Sequence, residues 1–443
     1  MPSPWKRALG LAVPCLVVGL MPTASLATNG MNMIGYGAVS SSMGGASLAG
    51  VDNPSAMNIN PAGLCECSSP ELDGGLSLLM PFLQHEDNLG NDEKAEQKYF
   101  PLPLLTFSSP IKGLPLTWGI GLFAQGGMGA EYKDLNTPFG GTDDTYTNVM
   151  FAKLTPTLAW QVAPSFRLGA SLNLGYAQTA LKFFPDTSAF MNLDADPSTL
   201  EVQFPGMEMK DMWALSYGGR FGFQYRFGEL SVGGAYLTAT DLEFDHGTMT
   251  LNFTNMPTGP STTLGTKVKY DAKMTGFDWP QQAGLGVNYR VAPWVRVAAD
   301  VNWIDWSSAV KTVKIKVKNP DTAGAPEKMT IPFAMDWKDQ WVYALGIEFL
   351  PAPAWAVRFG YNHANSPVPD DTLTPLFPAI VTDHLTAGFG YKAGDWTYNT
   401  GVEYALPAKQ TNDNTNPNEN PFGPGSVEKH SQLTLHAQVG RVF

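Results

Sequence analysis

Cysteine is almost missing from this chain: three in 443 residues, Cys15, Cys65 and Cys67. That is too few for a secreted scaffold held together by disulfides. Long apolar runs are missing too. Beyond the first 27 residues no stretch approaches the roughly 18 to 20 apolar residues that a helix needs to cross a bilayer, which excludes a helical membrane protein. Basic residues are scarce, 28 Lys and Arg against 40 Asp and Glu. A net charge of −12 suits no polyanion, so nucleic acid is not a partner. The six histidines are scattered, and no Ser/His or His/Glu constellation stands out. No catalysis, no cofactor and no metal site is therefore expected.

What is present begins with a leader. Lys6 and Arg7 precede a 13-residue apolar run at 8–20, and Ser25, Leu26 and Ala27 form a small-residue cleavage site. Residues 1–27 are predicted to be a signal peptide, with the mature chain starting at Thr28 outside the cytoplasm. The next forty residues are rich in glycine and serine. Their only carboxylates are Asp52 and Glu66, and they hold no Lys or Arg. With so few large apolar side chains this stretch cannot offset its own ordering entropy, and something else must give it shape.

From Glu71 onward the pattern changes to alternation with period two. Trp213, Leu215, Tyr217, Phe221, Phe223, Tyr225 and Phe227 form one face of a strand, and Ala214, Ser216, Gly218, Arg220, Gly222, Gln224 and Arg226 form the other. The same contrast recurs at 295–303, 341–349, 355–361 and 433–439, and the chain stops on an aromatic, Phe443. A hydropathy near zero is what such alternation gives when one face meets lipid and the other a lumen. Fourteen segments qualify: 71–85, 97–108, 115–131, 148–163, 166–184, 209–227, 229–246, 266–290, 294–318, 336–350, 355–365, 383–393, 396–407 and 430–443. Short connections alternate with long ones rich in Pro, Asp, Asn and Thr. The expected fold is all-β: a 14-stranded antiparallel transmembrane barrel over residues 69–443, with short periplasmic turns and long outer loops. A ring of that size encloses more space than its own side chains fill. Residues 28–68 are the natural occupant, a plug.

Several positions carry chemistry in this frame. Asn60-Pro61-Ala62 is a rigid turn inside the otherwise floppy plug. Gly126 and Gly127, with Gly129 close by, predict a bulge or bend in the third strand. Phe184, Phe190, Met191, Leu193, Leu200 and Phe204 crowd the connection between strands five and six, which calls for a greasy ligand or for self-packing. Lys153, Arg220, Arg296 and Arg358 fall on the inner face. Each either pairs with a lumen carboxylate such as Asp300, Glu348 or Glu403, or meets a substrate carboxylate. Cys65 and Cys67 are poorly spaced for a metal, and in an oxidising compartment a local disulfide is the readier expectation.

A Gly/Ser-rich secreted N-terminus with Met43-Gly44-Gly45-Ala46 and Asn60-Pro61-Ala62-Gly63-Leu64, followed by fourteen strands, resembles the FadL/TodX family of outer-membrane transporters for hydrophobic compounds. Asn302-Trp303-Ile304-Asp305-Trp306-Ser307 and the run Gly360-Tyr361-Asn362-His363-Ala364-Asn365-Ser366-Pro367-Val368-Pro369 extend the likeness. The resemblance implies a bacterial outer-membrane location and a hatch carrying Asn60, Pro61 and Ala62. It also implies an outer hydrophobic loop site, a lumen pocket and lateral release at a kink in strand three. The implied cargo is a hydrophobic small molecule, long-chain fatty acids first and aromatic hydrocarbons as the alternative; a general diffusion porin is the rival outside the family. The implied partners are outer-membrane lipid and the barrel-assembly machinery, and the chain is expected to work as a monomer. Cys65-Glu66-Cys67 departs from the family pattern.

Overall fold

The computed structural model describes residues 29–191, 202–255, 257–259, 262–417 and 419–443. Its nineteen-segment sheet resolves into fourteen strands, because four strands are each interrupted once and one short segment, Asp92–Lys94, only extends the hairpin above the first. In chain order they are β1 Glu71–Glu86, β2 Phe100–Pro110, β3 Leu116–Asn136, β4 Thr142–Ala163, β5 Phe166–Met191 and β6 Val202–Phe227. There follow β7 Leu230–Leu237 with His246–Asn252, β8 Lys267–Thr275 with Gln282–Ala292, β9 Val295–Ile304 with Thr312–Lys318, and β10 Lys328–Ala334 with Gln340–Ala352. The last four are β11 Trp355–Ala364, β12 Asp383–Ala393, β13 Trp396–Asn412 and β14 Ser426–Val442.

Each strand pairs antiparallel with its neighbour, and β1 pairs with β14 from Glu71↔Val442 to Glu86↔Val427, which closes the ring. Alternation holds along the wall. Leu72, Leu76, Trp118, Trp160, Leu215, Phe221, Leu285, Trp341, Leu345, Phe359, Leu385 and Leu435 are exposed on the outside, the face that meets lipid. Tyr289, Trp294, Trp355, Trp396, Tyr398 and Phe443 are exposed near the short turns, where an aromatic girdle belongs. Arg441 lies over the rings of both Trp396 and Phe443. Strands β3 to β6 span 21 to 26 residues, about twice the 9 to 11 that a tilted strand needs to cross, so the wall continues outside the membrane.

Strands β8 and β9 differ from the unbroken segments expected at 266–290 and 294–318. The chain leaves the wall at 238–245, 276–281, 305–311 and 335–339 and folds inward. Gly276, at φ 78, makes one corner; Asp305 makes another by capping the helical turn Trp306–Ala309 through Ser308 N. These inward folds carry Leu242, Phe244, Phe277, Trp279, Trp306, Val310, Met335 and Trp337 into one apolar cluster. Period-two counting misses such a detour because alternation resumes beyond it, in phase in β8 (Ala272 and Met274, then Gly286 inside) and one residue out of phase in β9 (Ala298 and Asp300, then Val313 and Ile315).

Residues 29–67 lie inside the ring, in short turns: Ala38–Ser42, Pro54–Asn58 and Pro61–Glu66. The wall shapes them through hydrogen bonds. Ala38 N donates to Gln438 on β14, Gly44 N to Thr386 on β12, and Ser47 N and Leu48 N to the Asp300 carboxylate on β9 at 2.7 and 2.9 Å. Losing a charged acceptor that holds two buried donors costs about 1.5–3 kcal/mol. Asp300→Ala is therefore expected to leave the barrel assembled, with an unchanged β-sheet circular dichroism spectrum. Hydrogen-exchange protection of residues 45–50 should fall roughly 10- to 100-fold.

Candidate functional site

Asn60 caps the turn Pro61–Glu66: its Oδ1 accepts from Ala62 N, while its Nδ2 donates to Leu48 O at 2.7 Å and to Phe223 O on β6 at 2.9 Å. The motif sits directly on wall glycines. A Cβ at Gly222 would stand 2.0 Å from Asn60 Oδ1, and one at Gly169 would stand 2.3 Å from the Pro61 carbonyl carbon. Glu66 then reaches Arg167 at 2.5 Å and also pairs with Arg226.

At the other end of the N-terminal segment, Asn29 and Asn32 close a tight turn whose far side touches β3. Asn32 bridges Gly126, and Gly127 N donates to Met31 O at 3.0 Å. Gly126 has φ 152, and the β3–β4 register shifts between Ala124 and Gly126, so the expected bend is present. Its neighbour strand lets go at the same level. The β2–β3 ladder runs only from Leu104↔Phe123 to Pro110↔Thr117. Beyond it, Pro101 and Pro103 take two donors out of β2, Phe100 is buried, and a Cβ on Gly129 would stand 3.2 Å from the Phe100 ring.

The four lumen cations divide into two pairs. Arg296 and Arg358 share Glu348, at 3.0 and 2.7 Å, and Arg296 also reaches Asp52. Lys153 and Arg220 meet no carboxylate among the described residues. Lys153 is 2 % exposed, and its Nζ has no hydrogen-bond partner there. Arg220 donates from Nη1 to Ile59 O at 2.8 Å, while its Nε is unpartnered. Both project from the inner face, Lys153 on β4 and Arg220 on β6, with β5 between them. Asn173 and the Ser216 hydroxyl, on the same inner face, are also unpartnered. Tyr36 stands close by, bonded to Gln125 on β3.

Above these polar groups lies the apolar cluster, continuous from Phe151 through Trp279 and Trp306 to Trp337, with ring centroids 4.8, 6.0 and 5.1 Å apart. Of the residues expected at an outer loop site, Phe184 is fully buried in this cluster, stacked on Phe183 at 4.7 Å, and Phe204 stacks on Phe139 at 5.0 Å. Phe190 and Met191 pair with Gln203 and Val202 at the tip of the β5–β6 hairpin, whereas Leu193 and Leu200 lie outside the described residues. Pairing lost between strands is what sequence reading missed: beside the β2–β3 gap, β6 loses its ladder to β7 over residues 214–219. Two small runs, Gly126-Gly127 and Gly218-Gly219, are the signals in the sequence that coincide with them.

A closed fourteen-stranded ring with an outward apolar face and residues 29–67 inside belongs to the class of outer-membrane barrel transport proteins. Among the described residues no helix is long and apolar enough to cross a membrane. The family model described as "Outer membrane protein transport protein (OMPP1/FadL/TodX)" matches residues 16–438, and the chain belongs to that family. It is made up of outer-membrane channels for hydrophobic compounds. The fold matches that of the Pseudomonas putida toluene transporter TodX, at TM-score 0.74 and 19 % identity over 93 % of this chain and 99 % of that one. It also matches the Ralstonia pickettii toluene transporter TbuX (0.69, 20 %, 93 % and 99 %) and a Pseudomonas aeruginosa FadL homologue (0.73, 15 %, 94 % and 100 %). No curated protein sequence matches.

Cys65 and Cys67 are free thiols, not the expected local disulfide; a ring with one residue between its cysteines would force the S–S geometry. Burial pushes the Cys65 thiol up to about 11, with Arg167 opposing and Glu66 reinforcing, and burial raises Cys67 also. At pH 8 only about one Cys65 in a thousand is ionised, so alkylation of the native protein by iodoacetamide should run on the order of a hundredfold slower than for an ordinary thiol. Mass spectrometry before and after heat denaturation in detergent measures this; fast labelling of the native protein would contradict the buried position.

Proposed function

We propose that residues 28–68 form a hatch, and that the protein passes long-chain fatty acids through the outer membrane passively, with Asn60, Pro61 and Ala62 as the hatch's seat. The observation that carries the choice of cargo is the pair Lys153 and Arg220, which meet no carboxylate among the described residues. Two buried cations without a counter-charge are costly, and a monocarboxylate supplies the missing charge through charge-assisted hydrogen bonds. The apolar cluster above offers surface for an acyl chain, and the β5–β6 hairpin, with Phe184, Phe190, Met191, Leu193, Leu200 and Phe204, is the collecting end. Arg296 and Arg358 are structural in this reading, since Glu348 already satisfies them.

Release is lateral, at the β3 bend formed by Gly126, Gly127 and Gly129. The support is that the hatch tip, Met31 and Asn32, is bonded to that bend, so a hatch shift and a change in the wall are one event. The ring closes within one chain, and a monomer suffices. Purified protein should bind oleate, and Lys153→Met should weaken that binding roughly 10- to 100-fold. Toluene binding should change by less than about twofold, since an uncharged ligand leaves the cation unmet in either case. Equal loss for both ligands, or none for oleate, would reject the carboxylate role.

The alternative cargo, an aromatic hydrocarbon, is favoured by the density of Trp and Phe in the cluster; it predicts tight toluene binding and no effect of Lys153. Gly126→Val with Gly127→Val is expected to lower oleate uptake by whole cells several-fold while barrel assembly is unchanged, since φ 152 at Gly126 suits no branched side chain. A diffusion porin instead predicts large single-channel conductance, and a lumen threaded by residues 29–67 should show almost none.

A further inference from the structure

The wall has a second opening, between β6 and β7. Their ladder runs from Phe227↔Leu230 to Arg220↔Leu237, stops, and resumes at Trp213↔His246. Across the interval β6 keeps its pairing to β5 without a break. It is β7 that departs: residues 238–245 turn toward β8, where Thr240 bridges Trp279 and Phe244 bridges Met274, and Leu242 and Phe244 are buried in the lumen cluster. The edge left on β6 is lined by Ala214, Ser216, Gly218 and Gly219, side chains too small to cover it. Thr238 closes only its lower corner, donating N–H to Gly219 O and accepting from Gly219 N.

The result is a cavity of about 1030 Å³ lined by residues of both strand faces, as large as the sites that hold whole small molecules. Leu172, Leu215, Tyr217 and Phe221 line it from the lipid side, and Ser171 and Ser216 from the lumen side. Tyr217 is 81 % exposed at its mouth. An unpaired strand edge facing hydrocarbon is strongly disfavoured unless something covers it or water reaches it.

Register places the unpartnered polar groups directly behind this opening. Ser216 lies opposite Gly175, Gly175 opposite Lys153, Gly218 opposite Asn173, and Arg220 opposite Ser171. Period two puts Lys153, Asn173, Ser216 and Arg220 on one inner face across three adjacent strands. A Cβ at Gly175 would meet the Ser216 hydroxyl at 2.3 Å and the Phe151 ring at 2.6 Å, so the hydroxyl and the ring edge share the space that a side chain there would take. On the outer rim stand Asp241, Glu243 and Asp245, which oppose an anionic headgroup arriving from outside; among the described residues Lys273 offsets them, bonded to Glu243 and Asp245.

We propose that the β6–β7 opening is a second lateral door, occupied by the acyl tail of an acid whose carboxylate rests on Lys153 and Arg220. The assignment builds on the fatty-acid reading above and adds to it a position and an orientation: head inward at the cations, tail outward past Ser216 between Leu172 and Tyr217. It is separate from the β3 bend, which lies on the other side of the β3–β6 panel and is held by the hatch tip.

Two measurements test it. In the first, unaltered purified protein is photolabelled with palmitic acid carrying a terminal diazirine. Adducts are expected on peptides holding Leu172, Leu215 or Tyr217, and adducts confined to the upper apolar cluster would overturn the proposal. In the second, Gly218→Cys and Thr240→Cys are introduced with Cys65→Ser and Cys67→Ser. An ideal Cβ at Gly218 lies 2.9 Å from Thr240 Oγ1, within reach of a disulfide once the Thr238 hydroxyl turns aside. Oxidation should lower oleate uptake several-fold and remove the adducts at Leu172, Leu215 and Tyr217, and reduction should restore both. Uptake that is equal in the oxidised and reduced forms, with the disulfide confirmed by mass spectrometry, would overturn the door. Should the double variant fail to assemble, Leu215→Cys in the same background, modified after assembly with a bulky maleimide, gives the same comparison with and without the modifier. Oleate binding to the unaltered protein is read separately: its absence defeats the fatty-acid reading itself, whereas binding that persists while the lock has no effect defeats only the door.

Discussion

Closure of the β1–β14 ladder is the constraint on which everything else in this molecule rests. In hydrocarbon no water satisfies a free N–H or C=O, so a sheet that crosses the membrane must have no edge. Sixteen residues of β1 find partners in β14, from Glu71 to Glu86, and the inside of the ring thereby becomes an interior in its own right. A segment as poor in apolar side chains as residues 29–67 can be ordered there because its polar backbone is met on all sides by Gln438, Thr386, Asp300 and Asn362. Wall glycines such as Gly169 and Gly222 let it approach at backbone distance. The same requirement makes each break in the wall a feature that needs an occupant. At β2–β3 the occupants are Phe100 and the hatch tip.

Charge in the lumen is sorted by height. Near the periplasmic turns Glu348 binds Arg296 and Arg358, and Glu66 binds Arg167 and Arg226. Breaking either group would strand a buried charge, which is why such networks hold an arrangement in place rather than add much net stability. Further in, Lys153 and Arg220 carry the opposite logic: they meet no carboxylate among the described residues, and Arg220 has the Ile59 carbonyl in its place. The first set ties Asp52 and Glu66 to the wall, and the second is the pair on which the proposed fatty-acid cargo rests.

Much of this was legible in the sequence, because a barrel wall is the simplest code a chain can carry. Alternation at 213–227 and at 433–439, short turns at 164–165 and 394–395 and the terminal Phe443 correspond directly to what the ring uses. The inner-face assignment of Lys153, Arg220, Arg296 and Arg358 followed from parity alone. Which of them lacked a partner did not, since pairing depends on contacts as distant in the chain as Asp52 and Arg296. The inward folds were hidden for another reason. Gly276-Phe277-Asp278-Trp279-Pro280 holds turn residues, yet Phe277 and Trp279 keep a period of two, only one residue out of phase with Ala272 and Met274, so a strand and a detour look alike. The motifs 302–307 and 360–369 turn out to brace one such detour: Trp306 Nε1 donates to Gln340 Oε1, and Gln340 Nε2 donates to Asn365 O.

The detours also join the apolar cluster, residues 31–32 and the β3 bend. Trp279 enters the lumen only because β8 breaks, and its Nε1 donates at 2.9 Å to Asn32 Oδ1. That same oxygen accepts from Gln125 Nε2 on β3 at 3.3 Å, one residue before the bend at Gly126. One carboxamide therefore reports on the apolar cluster, the hatch tip and the bend together. Each neutral bond is worth only about 1 kcal/mol, whereas burying an acyl chain gains about 25 cal/mol per Å². A chain that displaces Trp279 by burying even one hundred or so Å² more than offsets both bonds. Weak polar contacts thus sit where an apolar gain is available, which in the proposed fatty-acid reading is the condition for a gate that opens for a hydrophobic molecule.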